Sequence, residues 1–442
     1  MENKSVLHIL GAGPAGMACG YYATKKKIPV NIYDSSNEVG GNGKTLTDGA
    51  FRFDMGAHRF HDKYDDVTLD VMDIVGNELC KVQAPSKIYY NSSMIDFPLS
   101  IKSILNNLDS ATICKIILEK IQNSIKKSDS PSNFKELAYY RYGKTISELF
   151  LINYTEKLWG RSAEDLQINI AGDRLRNLNI ASLLRDVILR SEDTNHLDGS
   201  FYYPKYGFGT IFQKIKEYIG DESFHLKSQV KKILCKGNKI EKVFYGNSST
   251  INVEKVISTL PLNTLIDIMD PEPSSEIKDA VNKIKYRDLS LCVIYLDMPF
   301  FTDNASIYFP ESSIPFTRIY EPKNRSKYMA PHHKTCIVIE VPRNQNGVYT
   351  HHSKQELFNV VSGLLIDKGL IKREHIIGHS MYYVPNAYPV LNNEIERALV
   401  PVFSYLDAFE NMDIIGRNAE FKYLHTHNIF KKANTIISKL YE

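Results

Sequence analysis

The chain has 442 residues, 43% of them hydrophobic, so it can bury a large core, and its length predicts two or three domains. Its 54 Lys and Arg against 51 Asp and Glu leave a net charge of +3, which excludes the strongly basic footprint of a nucleic-acid-binding protein. Six cysteines without a CxxC pair predict neither a zinc site nor a disulfide scaffold, and no apolar run approaches the roughly eighteen residues that cross a bilayer. The polar start carries no secretory pattern, so a cytoplasmic protein without stable membrane insertion is expected.

In chain order, residues 6–10 predict a buried strand. The turn that follows holds Gly11, Ala12, Gly13, Pro14, Ala15 and Gly16, and it opens a helix. Gly11 permits a tight turn, Gly13 lets a pyrophosphate approach the backbone, and Gly16 lets the helix pack close to the sheet. The helix start adds unpaired N–H groups and a partial positive charge. A second strand at 30–33 ends in Asp34, followed by Ser35. A carboxylate there suits a ribose hydroxyl and repels a 2′-phosphate. Strand, turn, helix, strand and acid together predict a Rossmann-like dinucleotide-binding unit.

Residues 66–200 read as mainly helical, and the basic amphipathic stretch from Ser100 is expected to be a solvated face rather than a membrane contact. From Ser223 short alternating strands are separated by KGNK and GNSS turns. Residues 264–395 are mixed, with SLCVIYLDM and TCIVIEV as strands and EPKNRSKYMAPHHK as an exposed loop. The last segment reads as strand, glycine turn and helix. The expected fold is α/β: a discontinuous nucleotide-binding domain of residues 1–65, 220–263 and 396–442, with an inserted mixed α+β substrate domain of 66–219 and 264–395. A ligand is then expected at the junction.

The stretch EVGGNGKTLTDGAFRFDMGAHRFH carries a second glycine pair, Gly40 and Gly41, then Asn42 and Lys44, then Gly56, Ala57, His58, Arg59 and His61. It resembles flavoproteins of the amine oxidase and protoporphyrinogen oxidase group, whose second glycine motif runs along an extended FAD. HRFH is similar to the HxFH element of UDP-galactopyranose mutases, and NYTEKLWG to their YTxKQWG motif, with Leu158 in place of glutamine. YYPKYGFGTIF and KVISTLPL look like the oxidases. IIGRNAEFKYLHTH looks like the mutases' closing motif, with His425 and His427 in place of their acidic residues.

The resemblance implies noncovalent FAD, with its pyrophosphate at Gly11–Gly16 and its ribose on Asp34 and Ser35. Gly41, Asn42, Lys44, Gly56, Ala57, His58, Val230, Gly416, Arg417, Tyr423, Leu424, His425 and Thr426 are the further expected cofactor contacts. His58, Arg59, Tyr154, Trp159, Arg174 and Arg287 are the candidate catalytic and substrate residues, the two last arginines for a nucleotide-sugar diphosphate. No third ligand accompanies His58 and His61 at zinc spacing, so no metal is expected.

The leading reading is an FAD-dependent oxidoreductase acting on a polar, sugar-like small molecule, with NAD(P)H as one route to reduced flavin. The second is a mutase-like sugar-ring isomerase that works on reduced flavin. The third is a flavin-binding protein without turnover. STLPL and the missing acidic pair favour the first; HRFH and YTEKLWG favour the second.

Overall fold

The computed structural model describes residues 5–125, 130–168, 170, 200–343 and 353–440. Arg174 and the histidine pair at 351–352 lie outside the described residues.

Strand β1 (Leu7–Leu10) is buried along its whole length, as an apolar run in the middle of a parallel sheet must be. It pairs in parallel with β2 (Val30–Tyr33) on one side and with Lys255–Ser258 on the other. Met412–Ile414 and Phe224–His225 complete a five-stranded parallel sheet at its two edges. Helix α1 (Pro14–Lys25) lies against the closing helix Thr426–Lys439 and against Thr210–Ile219. Beside this sheet, Val230–Lys236, Lys239–Tyr245, Ser249–Asn252 and Met269–Asp270 form a four-stranded sheet. The KGNK and GNSS turns close its hairpins, with Gly237 and Gly246 at φ of 56° and 59°.

The third layer is a seven-stranded sheet. The two expected strands are neighbours in it: Tyr286–Leu296 runs antiparallel to Thr335–Arg343 and also to Ile376–Pro389. Arg318–Tyr320, Ser306–Tyr308, Ser86–Tyr90 and Ser93–Phe97 extend it.

Two expectations need correcting. The segment 66–200 opens with the helix Asp65–Val75, but it is not helical throughout: Leu79–Gln83, Ser86–Tyr90 and Ser93–Phe97 are strands. Asn91 and Ser92 both adopt positive φ, 47° and 62°, making the two-residue turn that matches strand twist and closes a hairpin. The EPKNRSK stretch is not an exposed loop: Glu321, Lys323 and Arg325 are buried. The Lys323 ammonium donates to the carbonyls of Pro299, Pro331, His332 and Lys334, which replaces its water shell. The two histidines of that stretch, His332 and His333, are exposed.

The amphipathic helices Ile101–Asn107 and Ser110–Ile125 leave Leu105, Ile117, Leu118 and Ile121 more than half exposed. Among the described residues no helix is long and apolar enough to cross a membrane.

Candidate active site

Three glycine turns meet at the start of α1. Gly11, at φ 107°, donates its N–H to Tyr33 at 2.7 Å, and Gly40 donates to the carbonyl of Ala12 at 2.8 Å. Contact is so close that a Cβ on Gly41 would stand 3.0 Å from the Gly13 Cα, and one on Gly416 would stand 2.9 Å from the Ala15 Cβ. Gly13 itself faces open space, with no atom within 4 Å of where a Cβ would lie. Pro14 opens the helix, where its missing N–H costs nothing.

Asp34 stands beside this cradle. Its carboxylate accepts the N–H of Ala12 at 2.6 Å and of Ser36 at 2.7 Å, which fixes its direction and leaves lone pairs on both oxygens. Ser228 and Lys227 donate to the carbonyls of Asp34 and Ser36, so the loop carrying Ser35 lies beside the chain that enters the Val230 strand. Lys44 reaches Glu38 at 3.4 Å on the outer side. Thr259 of the STLPL stretch donates N–H and hydroxyl to the Leu10 carbonyl, so this stretch buttresses the first glycine turn.

From the glycine turns a cleft of about 1640 Å³, partly open to solvent, runs between the sheets. Gly56, Ala57, His58 and Arg59 line it from one segment, and Arg417, Tyr423, His425 and Thr426 from another; Leu424 is not in the lining. The His58 ring stacks on Phe208, and its Nε2 lies 2.7 Å from the carbonyl of Asn42, so Nε2 carries the hydrogen. Burial, with Arg417, Arg318 and Arg325 nearby, pushes this imidazole down to about 3, and the ring is neutral. His58 therefore ties the second glycine turn to the cleft rather than presenting a cation. His58→Ala leaves the Asn42 carbonyl without its donor, at about 1–3 kcal/mol. We expect flavin affinity to fall by about tenfold, measured by fluorescence titration of the apoprotein.

Arg59 donates to the hydroxyls of Ser86 and Ser306 at 3.0 and 3.2 Å. Arg417 donates to the carbonyls of Leu424 and Ala387, and its guanidinium lies 4.9 Å from the Tyr423 ring centre.

Several cleft residues were not among the candidates, Lys63, Tyr308, Tyr388 and Arg318 among them. Arg318 is buried and lies against Glu340, with Nε 3.0 Å and Nη2 2.6 Å from the carboxylate oxygens. Glu340 also accepts the Ala57 N–H at 3.1 Å. The sequence did carry a signal: PFTRIY and IVIEV each place one charge in an apolar strand, and those two residues face each other in the strand register.

Deeper in, an aromatic cavity of about 750 Å³ shares Phe97, Tyr308 and Tyr423 with the cleft. Trp159, 4% exposed, sets its indole against Tyr388 and Tyr423 with ring centres 5.8 and 5.9 Å away. Tyr154 packs edge-on against Tyr308.

Arg287 is not brought into this lining. It is 6% exposed, and its donors go to the carbonyls of Leu158 at 3.1 Å, Lys157 at 3.0 Å and Arg343 at 2.7 Å. It braces the end of the Asn153–Trp159 helix from behind. Arg287→Ala would leave three carbonyls without these donors. We expect about 3 kcal/mol less stability in urea unfolding, with Arg287→Lys failing to restore it because one ammonium cannot reproduce the fork.

Three further histidines gather at the cleft. His425 and His427 stack at 5.5 Å and 13°, while His61 stands edge-on to both at 6.5 and 6.1 Å. Among the described residues no group of three or more His, Cys, Asp or Glu has metal-holding geometry.

Comparison with known proteins agrees with this architecture. The flavin containing amine oxidoreductase family model matches residues 14–341. A probable UDP-galactopyranose mutase of Klebsiella pneumoniae is 26% identical over 229 residues, which are 49% of this chain and 54% of that protein. The chain thus spans about half the length of this curated relative. A crystal structure of reduced UDP-galactopyranose mutase superposes with a TM-score of 0.85 at 20% identity, covering 99% of this chain and 95% of that one. A putative protoporphyrinogen oxidase from Exiguobacterium gives 0.76 at 13% identity, over 100% and 99% of the two chains. Putrescine oxidase bound to putrescine gives 0.67 at 13% identity, over 99% of each. With 328 residues of the chain within the family match, counted from 14 to 341, the chain belongs to the flavin containing amine oxidoreductase family.

Proposed function

We propose that the chain is an FAD-dependent oxidoreductase whose substrate is a sugar carried on a nucleotide diphosphate. The residues fit the cofactor: the open space over Gly13 at the start of α1 suits a pyrophosphate, and the fixed Asp34 carboxylate suits the adenosine ribose. Family membership implies the FAD, and when bound it supplies the acceptor for a hydride. Noncovalent attachment is expected, and acid precipitation should then release the colour.

The protein's own residues orient, neutralise and take up a proton. Arg318 and Arg417 give the cleft fixed positive charge for a diphosphate, and Trp159 with Tyr154 and Tyr308 offers faces for a base or sugar ring. Oxidation of a hydroxyl requires a group that takes its proton. Among the described residues lining the cleft none is Asp or Glu, whereas His61 and His425 are there, and an imidazole suits that task near neutral pH. This lining, imidazoles without carboxylates, is the observation that carries the redox reading.

The structural likeness to reduced UDP-galactopyranose mutase favours a second reading, isomerisation of the sugar ring without net redox change. One anaerobic experiment separates them. If substrate bleaches the oxidised holoenzyme and the product has lost two hydrogens, the enzyme is an oxidoreductase. A product of unchanged mass, formed only after prior reduction with dithionite or NAD(P)H, would replace that reading with the mutase.

A further inference from the structure

We infer that Lys157 is a positioning residue for the substrate: its ammonium pins the helix Asn153–Trp159 to the loop after the Ser306–Tyr308 strand, and so sets the spacing of the two aromatic walls that take the substrate's base. The inference rests on the nucleotide-sugar reading and deepens it. Tyr154 and Trp159 line the aromatic cavity from the helix, and Tyr308 and Pro310 line it from the strand end and the loop. Lys157 is not in that lining, but its side chain reaches from the first wall to the second.

The Lys157 Nζ donates to the carbonyls of Phe309 at 2.5 Å, Glu311 at 2.9 Å and Ile314 at 2.9 Å. These acceptors use all the hydrogens of an ammonium. The first of them follows directly on Tyr308, and the first two flank Pro310. Phe309 and Ile314 are buried, and the Ile314 N–H closes on the Glu311 carbonyl at 3.2 Å. The loop is therefore seated in the core by its own side chains and backbone. It is the fixed partner, and the helix is the element that Lys157 places.

The helix needs that tie. It follows a π-helical turn, Ser147–Ile152, a rare conformation that occurs mostly as single turns at functional sites. At its other end Arg287 holds the carbonyls of Lys157 and Leu158. Arg287 thus fixes the backbone from behind, and Lys157 fixes the helix against the loop. An apolar side chain would fill the same space without setting a direction, whereas directional N–H···O bonds hold both distance and angle. The two walls touch at one edge, where the rings of Tyr154 and Tyr308 meet at 5.7 Å and 80°. A shift of the helix opens or closes the cavity about that edge.

The test compares UDP with inorganic pyrophosphate on the oxidised holoenzyme, by titration calorimetry at about pH 6. Burial pushes the Lys157 ammonium down to about 7, so at that pH its donors are all present. Pyrophosphate reads the arginine end of the cleft, at Arg318 and Arg417, while UDP also reads the aromatic walls. Lys157→Met keeps the length of the side chain and removes its donors. We expect it to bind UDP about tenfold more weakly, as the loss of one base–aromatic stack would, and to bind pyrophosphate within about twofold of the parent. Lys157→Gln keeps two amide hydrogens and should lose only about threefold for UDP. Melting temperature and flavin content report on folding, and Lys157→Gln decides the matter if Lys157→Met does not fold. An equal loss for both probes, or none for UDP, overturns the inference and leaves the nucleotide-sugar reading standing. Failure of both variants to fold also overturns it, because Lys157 would then support the whole fold and not the walls. If the parent binds no UDP, the nucleotide-sugar reading falls and the inference falls with it.

Discussion

Glu340→Leu should lower the stability of the folded protein by about 3–5 kcal/mol, because it leaves the Arg318 guanidinium buried without its counter-charge. Both side chains are almost wholly removed from water, at 9% and 2% exposure. Domains of this kind are stable by only about 5–15 kcal/mol, so this one change would consume much of the margin. The same substitution releases the Ala57 N–H, which Glu340 accepts, and so loosens the bank of the cleft as well as the sheet behind it. Equilibrium unfolding in urea, followed by tryptophan emission from Trp159, measures the loss. A variant within about 1 kcal/mol of the parent would mean that Arg318 turns to another partner.

The double variant separates stability from function. Arg318→Met with Glu340→Leu removes both charges and keeps apolar volume, an exchange that is often neutral or stabilising for buried pairs. It should recover most of the stability lost in Glu340→Leu, short of the Ala57 N–H that still lacks its acceptor, while binding UDP about tenfold more weakly, since the guanidinium donors at the arginine end are gone. Recovery of both properties would take Arg318 out of the binding surface.

The nucleotide-binding half was legible in the sequence because its determinants are local. Gly11, Gly13, Gly16 and Asp34 lie within one strand–turn–helix–strand unit, and spacing alone predicts their meeting. The closing strand and helix, Met412–Ile414 and Thr426–Lys439, were legible for the same reason. The cleft was less so. Arg287 was a candidate because it is a basic residue near a weak motif, yet three carbonyls consume its donors. Arg318 was passed over because its role depends on a partner 22 residues away across a strand pair. Lys323 was read as exposed because a lysine's burial depends on four carbonyls that only the folded loop assembles. STLPL was weighed toward one reaction, but Thr259 is bonded to the Leu10 carbonyl at the glycine turn. Its position supports cofactor binding and says nothing about the reacting end.

The glycine turn yields the sharpest contrast between folding and cofactor binding. Gly16→Val should not fold: the first carbon of any side chain there would stand 1.8 Å from the Gly11 carbonyl oxygen and 3.3 Å from the Ile9 methyl. Neither neighbour is free to retreat, since one is backbone and the other belongs to the buried strand β1. Gly13→Ala should behave in the opposite way. Its methyl would meet no protein atom within 4 Å, and the residue's φ of −72° is open to any amino acid. The apoprotein should therefore keep its melting temperature and its far-ultraviolet spectrum. The methyl would instead occupy the space where the backbone and a pyrophosphate approach each other, at the open N–H groups of α1. An added methyl in a closely packed contact costs about 1–3 kcal/mol. Flavin affinity should thus fall roughly tenfold to a hundredfold, while folding is untouched. The measurement is paired: thermal unfolding of the apoprotein, and FAD titration of the same sample. If Gly13→Ala binds FAD as the parent does, the pyrophosphate does not lie over this turn, and the cofactor must enter the cleft by another route.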